Sequence, residues 1–393
     1  MNHIWSENKY IETLINVLLM LMGINFMHFG QLFLPVVCFL IFIANRFVFK
    51  VNKPIVFVIL CLFAVSFYYF SYQLGFYSVM GFTLPMAYYI GSNIKEPSFE
   101  KVKKIIFLLA FSMGIHLAIN FIYNFATRGL ERILHSSSHR DVWVQDIVSS
   151  TAMAVDLNIL MGSLYYCLFY EKKKAIRYFA LSLFVFDMIY CLIMGRRTPL
   201  LLLLITFTVV FLYDAFIAKR VSNRVRRVFL CLAGTVLLLF VGFIIAYTNN
   251  IGNCREFLDQ FYIITKLKNG LIDYTRIEPW LKGVQLMPKY FWGGQKISAE
   301  LGIQVHELWI DIYDYAGIIS YLLMIVYSLC YLGVMIKTIK QRDNVTNRNT
   351  LFIGLFLCIG IQMFLEPVMT GESIFLIVSV IIGSMIESML ENE

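Results

Sequence analysis

Apolar segments long enough to cross the hydrocarbon core of a bilayer recur along the whole chain. A transmembrane helix needs about 20 residues to span a core of about 30 Å. Because lipid offers the backbone no hydrogen-bond partners, such segments cross it as helices. The sequence therefore predicts an all-α polytopic membrane protein, one domain over residues 1–393, with about twelve transmembrane helices. These lie near residues 11–28, 31–44, 54–71, 75–92, 105–125, 147–170, 176–194, 198–218, 228–248, 309–336, 350–367 and 371–390.

The amino-acid composition is far from that of a soluble enzyme. Hydrophobic residues make up 59% of the chain and charged residues only 15%, whereas soluble domains carry about 25% charged residues. The formal net charge of +8 comes largely from connections between the predicted helices, where anionic lipid headgroups attract it. Nothing in the sequence resembles a nucleic-acid-binding surface, so we expect membrane lipids and no nucleic acid as partners.

Basic residues orient the predicted helices, because Lys and Arg are disfavoured in short connections that must be translocated. Most of the 33 Lys and Arg residues fall in alternate connections along the chain. This distribution predicts that both termini and the basic connections are cytoplasmic. The basic connections are residues 45–53, 93–104, 171–177, 219–227 and 337–349.

One external connection, residues 249–308, is much longer than the others. Loops of this length in compact proteins are usually functional or disordered. The segment "REFLDQFYIITKL" has the apolar spacing of an amphipathic helix, which argues against disorder. A second helix is predicted in "DYTRIEPWLKGVQLMPKY", where Thr275 and Glu278 have capping-box spacing. We therefore predict a long helical loop between helices nine and ten.

Arg196 and Arg197 lie in "MGRRTPLL", a short turn that the topology places outside. One interpretation is that both arginines extend to lipid headgroups from a helix end. The other is that two guanidinium groups beside an electropositive helix N-terminus form a phosphate site. The second interpretation gives a reason for two external arginines in so short a turn, which the positive-inside tendency disfavours.

Four ionisable residues open the tenth helix. They lie in "GIQVHELWIDIYDYAG" and are His306, Glu307, Asp311 and Asp314. A histidine there is either a hydrogen-bonded interface residue or a catalytic base. With 3.6 residues per turn, one helix cannot direct all four groups to one face. We therefore expect Asp311 and Asp314 mainly to line a wet cavity or to contact a loop.

Two acids, Asp156 and Asp187, fall near the middle of predicted helices, and no Lys or Arg lies at that depth. An unpaired charge in lipid is costly. These acids must therefore be neutral, hydrogen-bonded or exposed to a water-filled cavity, and a proton-coupled transporter would carry the same groups. We predict no metal site, because "HSSSH" offers an incomplete ligand set and no Asp-x-Asp is present to hold a divalent ion on a diphosphate.

Three stretches together resemble the O-antigen ligase and polymerase superfamily of bacterial envelope glycosyltransferases. "MGRRTPLLLLL" resembles the start of a helix in that family, and "TRIEPWLKGVQLMPKYFWGG" resembles its external Arg, Trp and Pro-x-x-Gly-x-Gly stretch. "VHELWIDIYDYAGIISYLL" resembles its His-Asn-x-x-Leu helix start, with Glu307 in place of the asparagine. The order and spacing agree over residues 185–335.

The resemblance implies a metal-independent membrane glycosyltransferase of the GT-C type, without a cofactor, that acts on glycans carried by undecaprenyl diphosphate. It implies that Arg197 and Arg276, with Arg196 beside them, bind the lipid diphosphate and that His306 meets the reacting hydroxyl. Guanidinium groups can neutralise diphosphate oxygens, and a neutral imidazole can accept the proton of an attacking hydroxyl. Supporting roles are expected for Trp280, Glu307, Asp311 and Asp314.

We therefore expect a surface-polysaccharide (O-antigen) polymerase of lipopolysaccharide biosynthesis, in the bacterial inner membrane with its active site on the periplasmic face. Its partners would be a lipid-linked donor, a lipid-linked acceptor and a regulator of chain length. One alternative is the ligase of the same superfamily, which transfers the glycan to lipid A core. A second alternative is a flippase or another proton-coupled transporter, which twelve helices, Asp156 and Asp187 also fit.

Overall fold

An α-helix lies within every predicted apolar segment. The structure, a computed structural model, describes residues 9–71, 79–94, 97–134, 138–143, 147–219, 223–251, 274–305, 307–341, 347–366 and 373–391. The helices are α1 Lys9–Gly23, α2 Phe33–Ala44, α3 Pro54–Phe70, α4 Thr83–Ser92, α5 Phe99–Leu134, α6 Ser150–Val155, α7 Leu157–Phe169, α8 Lys174–Ile193, α9 Thr198–Leu212, α10 Asn223–Thr248, α11 Tyr274–Leu286, α12 Lys296–Leu301, α13 Leu308–Lys340, α14 Arg348–Leu365 and α15 Ser373–Glu391. Short 3₁₀ turns cover Phe26–His28, Gly30–Leu32, Met80–Phe82 and Met287–Lys289, and a π turn covers Tyr213–Ile217.

Seven spans within the described residues are long and apolar enough to cross a membrane. They are Phe99–Leu130, Ser150–Phe169, Lys174–Ile193, Thr198–Ile217, Leu308–Lys340, Arg348–Leu365 and Ser373–Glu391. Two shorter apolar segments, Gly30–Ala44 and Pro54–Phe70, fall below that length. The chain is thus a largely helical, multi-pass membrane protein, and the total of twelve spans and the cytoplasmic termini stay predictions.

The two ends of α15 mark the two ends of the helix bundle. At one end, Lys53 Nζ lies 2.6 Å from Glu387 and 3.4 Å from Glu391, and Lys337 Nζ donates to the Leu390 carbonyl. At the other end, Gln31 Nε2 donates to Ser373 Oγ. The sequence assigns the connections around Lys53 and Lys337 to the cytoplasm, and those around Gln31 and Ser373 to the outside.

Helix packing in the centre of the bundle depends on small residues. A Cβ built on Gly162 of α7 would lie 3.0 Å from the Gly354 carbonyl of α14. A Cβ built on Gly91 of α4 would lie 2.5 Å from the Ile381 carbonyl of α15. Small residues let transmembrane helices approach closely, which increases van der Waals contact where no hydrophobic effect drives association. The close contacts fix the helices that carry the polar residues described below.

A short β-hairpin departs from the predicted all-α architecture. Its strands, β1 Ser138–Arg140 and β2 Ile147–Ser149, pair antiparallel with His139 opposite Val148. Side chains of α5 hold it, because the Arg140 amide donates to Asn124 Oδ1 at 2.9 Å and the Val142 amide donates to Asn120 Oδ1 at 2.8 Å. These asparagines satisfy backbone groups that would otherwise be unpaired next to the membrane. Apolar periodicity alone gives no sign of such a hairpin.

Candidate functional site

Residues 274–305 pack on the first turns of α13. Gly283 of α11 lets the two segments meet, since a Cβ on it would lie 3.3 Å from Ile310 and 3.5 Å from Val305. Trp280 is half-buried in the same contact. The apolar cluster between the segments contains Trp280, Leu286, Met287, Tyr290, Ile297, Leu301, Val305, Ile310, Tyr313, Ile318 and Tyr321. The second predicted loop helix is therefore present and packs on the bundle. The first predicted loop helix, in "REFLDQFYIITKL", lies outside the described residues.

The long helix α13 is folded back on itself at Gly317. This glycine has φ 72° and ψ −171°, outside the helical region. The Trp309 indole nitrogen, before the bend, donates to Ser328 Oγ, after it, at 3.0 Å. In a straight helix, 19 residues would place these two about 28 Å apart. Residues 308–316 are therefore a separate helical limb that lies along the following limb, residues 318–340.

The carboxylate of Asp314 fixes the loop to this limb. Its Oδ1 accepts the Ile297 amide at 2.8 Å, and its Oδ2 accepts the Ser298 amide at 3.2 Å and the Ser298 hydroxyl at 2.5 Å. The side chain thus pairs with the otherwise unsatisfied N–H groups at the start of α12. Asp311 contacts the loop as well, through Gln304 Nε2 at 3.3 Å. Both contacts agree with the expected role in contacting a loop.

Glu307 is the N-cap residue of α13. Its side chain accepts the Ile310 amide at 2.7 Å, as the leading residue of a helix commonly does. Burial raises the pKa of Glu307 to about 7, although hydrogen bonds from the Ile310 and Trp309 amides act in the opposite direction. The group is therefore part charged and part neutral near neutral pH.

Two of the predicted site groups, His306 and the Arg276 side chain, lie outside the described residues. The backbone of residue 276 belongs to α11, seven residues before Gly283, or about 10 Å along the helix. The neighbours of position 306, Val305 and Glu307, are both buried. The structure thus brings the two stretches of chain together, and the contact between their reactive groups stays a prediction.

The arginine pair lies at the junction between α8 and α9. Arg197 is half-buried and immediately precedes α9, which packs on α7 and α14. Arg196 reaches across to α6, where its Nε donates to Ser150 Oγ at 2.8 Å and its guanidinium also contacts Thr151 Oγ1. Arg196 therefore has a structural contact in addition to any role with an anion. A common pocket for Arg197, Arg276 and His306 stays a prediction.

A buried polar cluster that was not predicted from the sequence lies between α5, the junction of α6 and α7, and the hairpin. His116 Nδ1 is 2.7 Å from Asp156 Oδ2, and His116 Nε2 is 3.3 Å from Asp141 Oδ2. Asn120 Nδ2 is 3.1 Å from His116 Nε2. Asp156 is thus hydrogen-bonded, one of the situations expected for it. The sequence did contain an indication of this cluster, since His116 and Asp156 fall at similar depth in two consecutive predicted helices.

The imidazole of His116 has partners in both protonation states. Asn120 Oδ1 accepts the Val142 amide, which fixes its Nδ2 as the donor toward His116 Nε2. In the neutral ring, Nε2 therefore accepts from Asn120, and Nδ1–H donates to Asp156. In the protonated ring, Nε2–H can donate to Asp141. A carboxylate behind one ring nitrogen orients the other, as in proton-transfer sites.

His116, Asp141 and Asp156 line a cavity of about 560 Å³ at the Gln31–Ser373 end of the bundle. The lining residues are Asn25, His28, Phe29, Gln31, Leu32, Met80, His116, Asp141, Ile147, Val148, Ser149, Ala152, Met153, Asp156, Ser373 and Ile374. Its size falls in the range of small-molecule sites, about 300–1,000 Å³. Within the described residues, no group of three or more His, Cys, Asp or Glu side chains is arranged to hold a metal ion.

Asp187, the other mid-helix acid, is fully buried on α8. Within the described part of the chain, neither of its carboxyl oxygens has a hydrogen-bond partner. Gly114 of α5 makes room for it, because a Cβ there would lie 3.1 Å from Asp187 Oδ2. Asp187 is not among the residues that line the cavity.

No protein-family model and no curated protein matches the chain.

Proposed function

We propose that the protein is a surface-polysaccharide polymerase of the bacterial inner membrane, with twelve transmembrane helices and its active site on the periplasmic face. The growing glycan on undecaprenyl diphosphate is the donor, and a hydroxyl of a new lipid-linked repeat unit is the acceptor. The fold class would be GT-C, and the reaction needs neither metal nor cofactor.

The observation that supports this proposal is the docking of α11 and its following loop on the start of α13. Gly283 meets Val305 and Ile310, and Asp314 holds the start of α12. The stretch that carries residue 276 is thereby fixed beside the stretch that carries residue 306. Backbone stretches fixed in this way would suit the chemistry, because catalytic groups held in place stabilise a developing charge without reorganisation.

In the proposed reaction, the acceptor hydroxyl oxygen attacks the anomeric carbon of the donor sugar. The bond from that carbon to the diphosphate oxygen breaks, and the configuration at the carbon inverts. His306 takes the hydroxyl proton. Undecaprenyl diphosphate leaves with the bonding electron pair, and Arg197, Arg276 and Arg196 neutralise its charge.

Purified protein supplied with lipid-linked repeat units tests the proposal. Wild-type protein should lengthen the glycans, and His306→Ala should slow extension about 100-fold or more. Arg276→Ala should do the same through loss of charge stabilisation. Lys282→Ala is the matched control, because Lys282 is exposed on the same helix and pairs with Glu278. Correctly inserted His306→Ala and Arg276→Ala proteins that still extend chains at the wild-type rate would refute these roles.

A ligase of the same superfamily would share the arginines and the histidine. Omitting lipid A core from the assay separates the two activities, since a polymerase extends repeat units without it and a ligase forms no product. We favour the polymerase as the conclusion, and product formation only in the presence of lipid A core would favour the ligase.

The buried His116–Asp156–Asp141 cluster supports a second candidate, a proton-coupled transporter of lipid-linked sugars. Ionisable groups within transmembrane helices commonly mark proton or substrate paths. Proteoliposomes containing a labelled lipid-linked sugar distinguish the two functions. Movement of the label across the bilayer without a change in glycan length would identify a transporter.

A further inference from the structure

The cavity lined by His116, Asp141 and Asp156 contains polar groups that could bind a small polar ligand. We propose that it binds one uncharged sugar unit of the lipid-linked glycan, an inference that rests on the proposed function for the source of that sugar. The polar groups that face the cavity come from distant parts of the chain: Asn25, His28, Gln31, His116, Asp141, Ser149, Asp156 and Ser373.

The charge of the lining excludes the diphosphate and favours hydroxyl groups. The lining contains two carboxyl groups, Asp141 and Asp156, with two histidines, and none of its described residues is Lys or Arg. A diphosphate placed here would face like charge at short range. A sugar hydroxyl, in contrast, donates to a carboxylate in a charge-assisted hydrogen bond, which is about twice as strong as a neutral one.

The carboxyl group of Asp141 is held in place before any ligand arrives. Its Oδ1 accepts the Trp143 amide at 2.8 Å. The Trp143 indole donates to the Ile24 carbonyl at 3.2 Å, which ties this turn to the end of α1. The amide of Val142, which lies between Asp141 and Trp143, donates to Asn120 Oδ1. Groups fixed in this way lose little conformational entropy on binding, which favours affinity for a small polar ligand.

Apolar residues also line the cavity. Phe29, Leu32, Met80 and Met153 contribute to its wall. Small-molecule sites generally combine an apolar lining with a few placed polar groups. A sugar ring presents the matching surface, with C–H groups on its faces and hydroxyl groups around its edge.

The cavity is close to Arg196, because adjacent residues of the chain contact the two. Ser149 lines the cavity, and the hydroxyl of the next residue, Ser150, accepts Arg196 Nε at 2.8 Å. A glycan whose diphosphate is bound at Arg196 and Arg197 would therefore have its sugars next to the cavity. This arrangement would place a site for sugar hydroxyls beside a site for the diphosphate, as a lipid-linked glycan requires.

Binding of methyl glycosides to the full-length protein in nanodiscs tests the inference. The probes are methyl glycosides of common hexoses and N-acetylhexosamines at millimolar concentration, detected by saturation-transfer NMR. At least one should bind wild type, and Asp141→Asn and His116→Gln should weaken its binding about tenfold, the factor equivalent to one lost hydrogen bond to a charged group. Asp187→Asn, a buried acid outside the cavity, is the matched control and should bind as wild type does.

The outcomes separate this inference from the proposed function. If no methyl glycoside binds, or if Asp141→Asn and Asp187→Asn have the same effect, the sugar site is refuted even when chains are extended. If a methyl glycoside binds and depends on Asp141, but the wild type extends no chains, the sugar site stands and the polymerase assignment fails. In an active preparation, Asp141→Asn should raise KM for the repeat unit about tenfold with little change in kcat, whereas His306→Ala should lower kcat.

Discussion

Gly293 and Gly317 meet backbone to backbone, and a Cβ built on Gly293 would lie 2.5 Å from the Gly317 amide nitrogen. In the reverse direction, a Cβ built on Gly317 would lie 2.7 Å from the Phe291 carbonyl oxygen, the atom that accepts the Ile318 amide at 3.0 Å. Both glycines have positive φ. This contact joins the loop before α13 to the bend within it.

We expect Gly293→Ala and Gly317→Ala to detach the loop from the bend, because no shift short of moving the backbone removes these clashes. Gly302→Ala is the matched control, since Gly302 has φ 67° but nothing within 4 Å of a Cβ. The control should show only conformational strain of about 1–2 kcal/mol. Thermal unfolding and limited proteolysis of residues 274–305 measure the difference, and equal effects at all three positions would contradict it.

Removal of the Asp314 carboxylate should release the start of α12. In Asp314→Ala, the Ile297 and Ser298 amides lose their acceptor, and unsatisfied buried groups cost about 1–3 kcal/mol. Their hydrogen exchange should accelerate about tenfold or more. Glu300 lies on α12 and forms an exposed ion pair with Lys289 of the preceding 3₁₀ turn. Glu300→Ala should leave that exchange unchanged, because surface pairs contribute little.

Stability should fall as the pH rises through the titration of Glu307. Burial raises the pKa of this acid in the folded state from 4.5 to about 7. Between these values the folded state therefore binds more protons than the unfolded state, so the free energy of unfolding decreases with rising pH and levels off above about pH 7. Glu307→Gln keeps an acceptor for the Ile310 amide but cannot titrate. Its melting temperature should fall less than that of wild type between pH 4.5 and 7, and parallel curves would contradict the assignment.

Arg196 and Ser150 should be energetically coupled. Arg196→Ala removes the donors that bind Ser150 and Thr151, and Ser150→Ala removes the main acceptor. Because each change removes the same interaction, the double variant should lose about 1 kcal/mol less than the sum of the single variants. Unfolding of the four proteins in detergent completes the cycle. Strict additivity would show that the contact adds nothing to stability.

The predicted topology can be tested by labelling single cysteines in a variant without native cysteines. Trp292→Cys, in the exposed part of the loop, should react with a membrane-impermeant maleimide added to intact spheroplasts. Lys172→Cys, in an exposed connection of the opposite face, should react only after permeabilisation. Labelling of both from the same side would exclude the predicted arrangement of inside and outside connections.

Local sequence pattern was sufficient for the helices of the bundle and insufficient for the contacts between them. Each predicted apolar segment contains a helix, because apolar length is a local property, whereas α12 in the loop was not predicted. The bend at Gly317 was not predicted, since the apolar pattern continues through it. The bend depends on Phe291 and Gly293, more than twenty residues earlier in the chain.

In the candidate site, too, some contacts were predicted from the sequence and others were not. Asp311 and Asp314 were expected to line a wet cavity or to contact a loop, because one helix cannot direct all the polar groups of this stretch to a single face. Both residues contact the loop. His116 was overlooked, since it lies in an apolar segment 40 residues from Asp156. Only the packing of α5 against α7 brings the two side chains together, and a single sequence does not encode that register in any local pattern.

The reversal of α13 at Gly317 makes residues 308–316 a link between the loop and the bundle. Trp309 is hydrogen-bonded to Ser328 of the second limb, and Asp314 holds the start of α12. A displacement of residues 274–305 would therefore strain this limb, so we expect the loop and the bundle to unfold in one cooperative step.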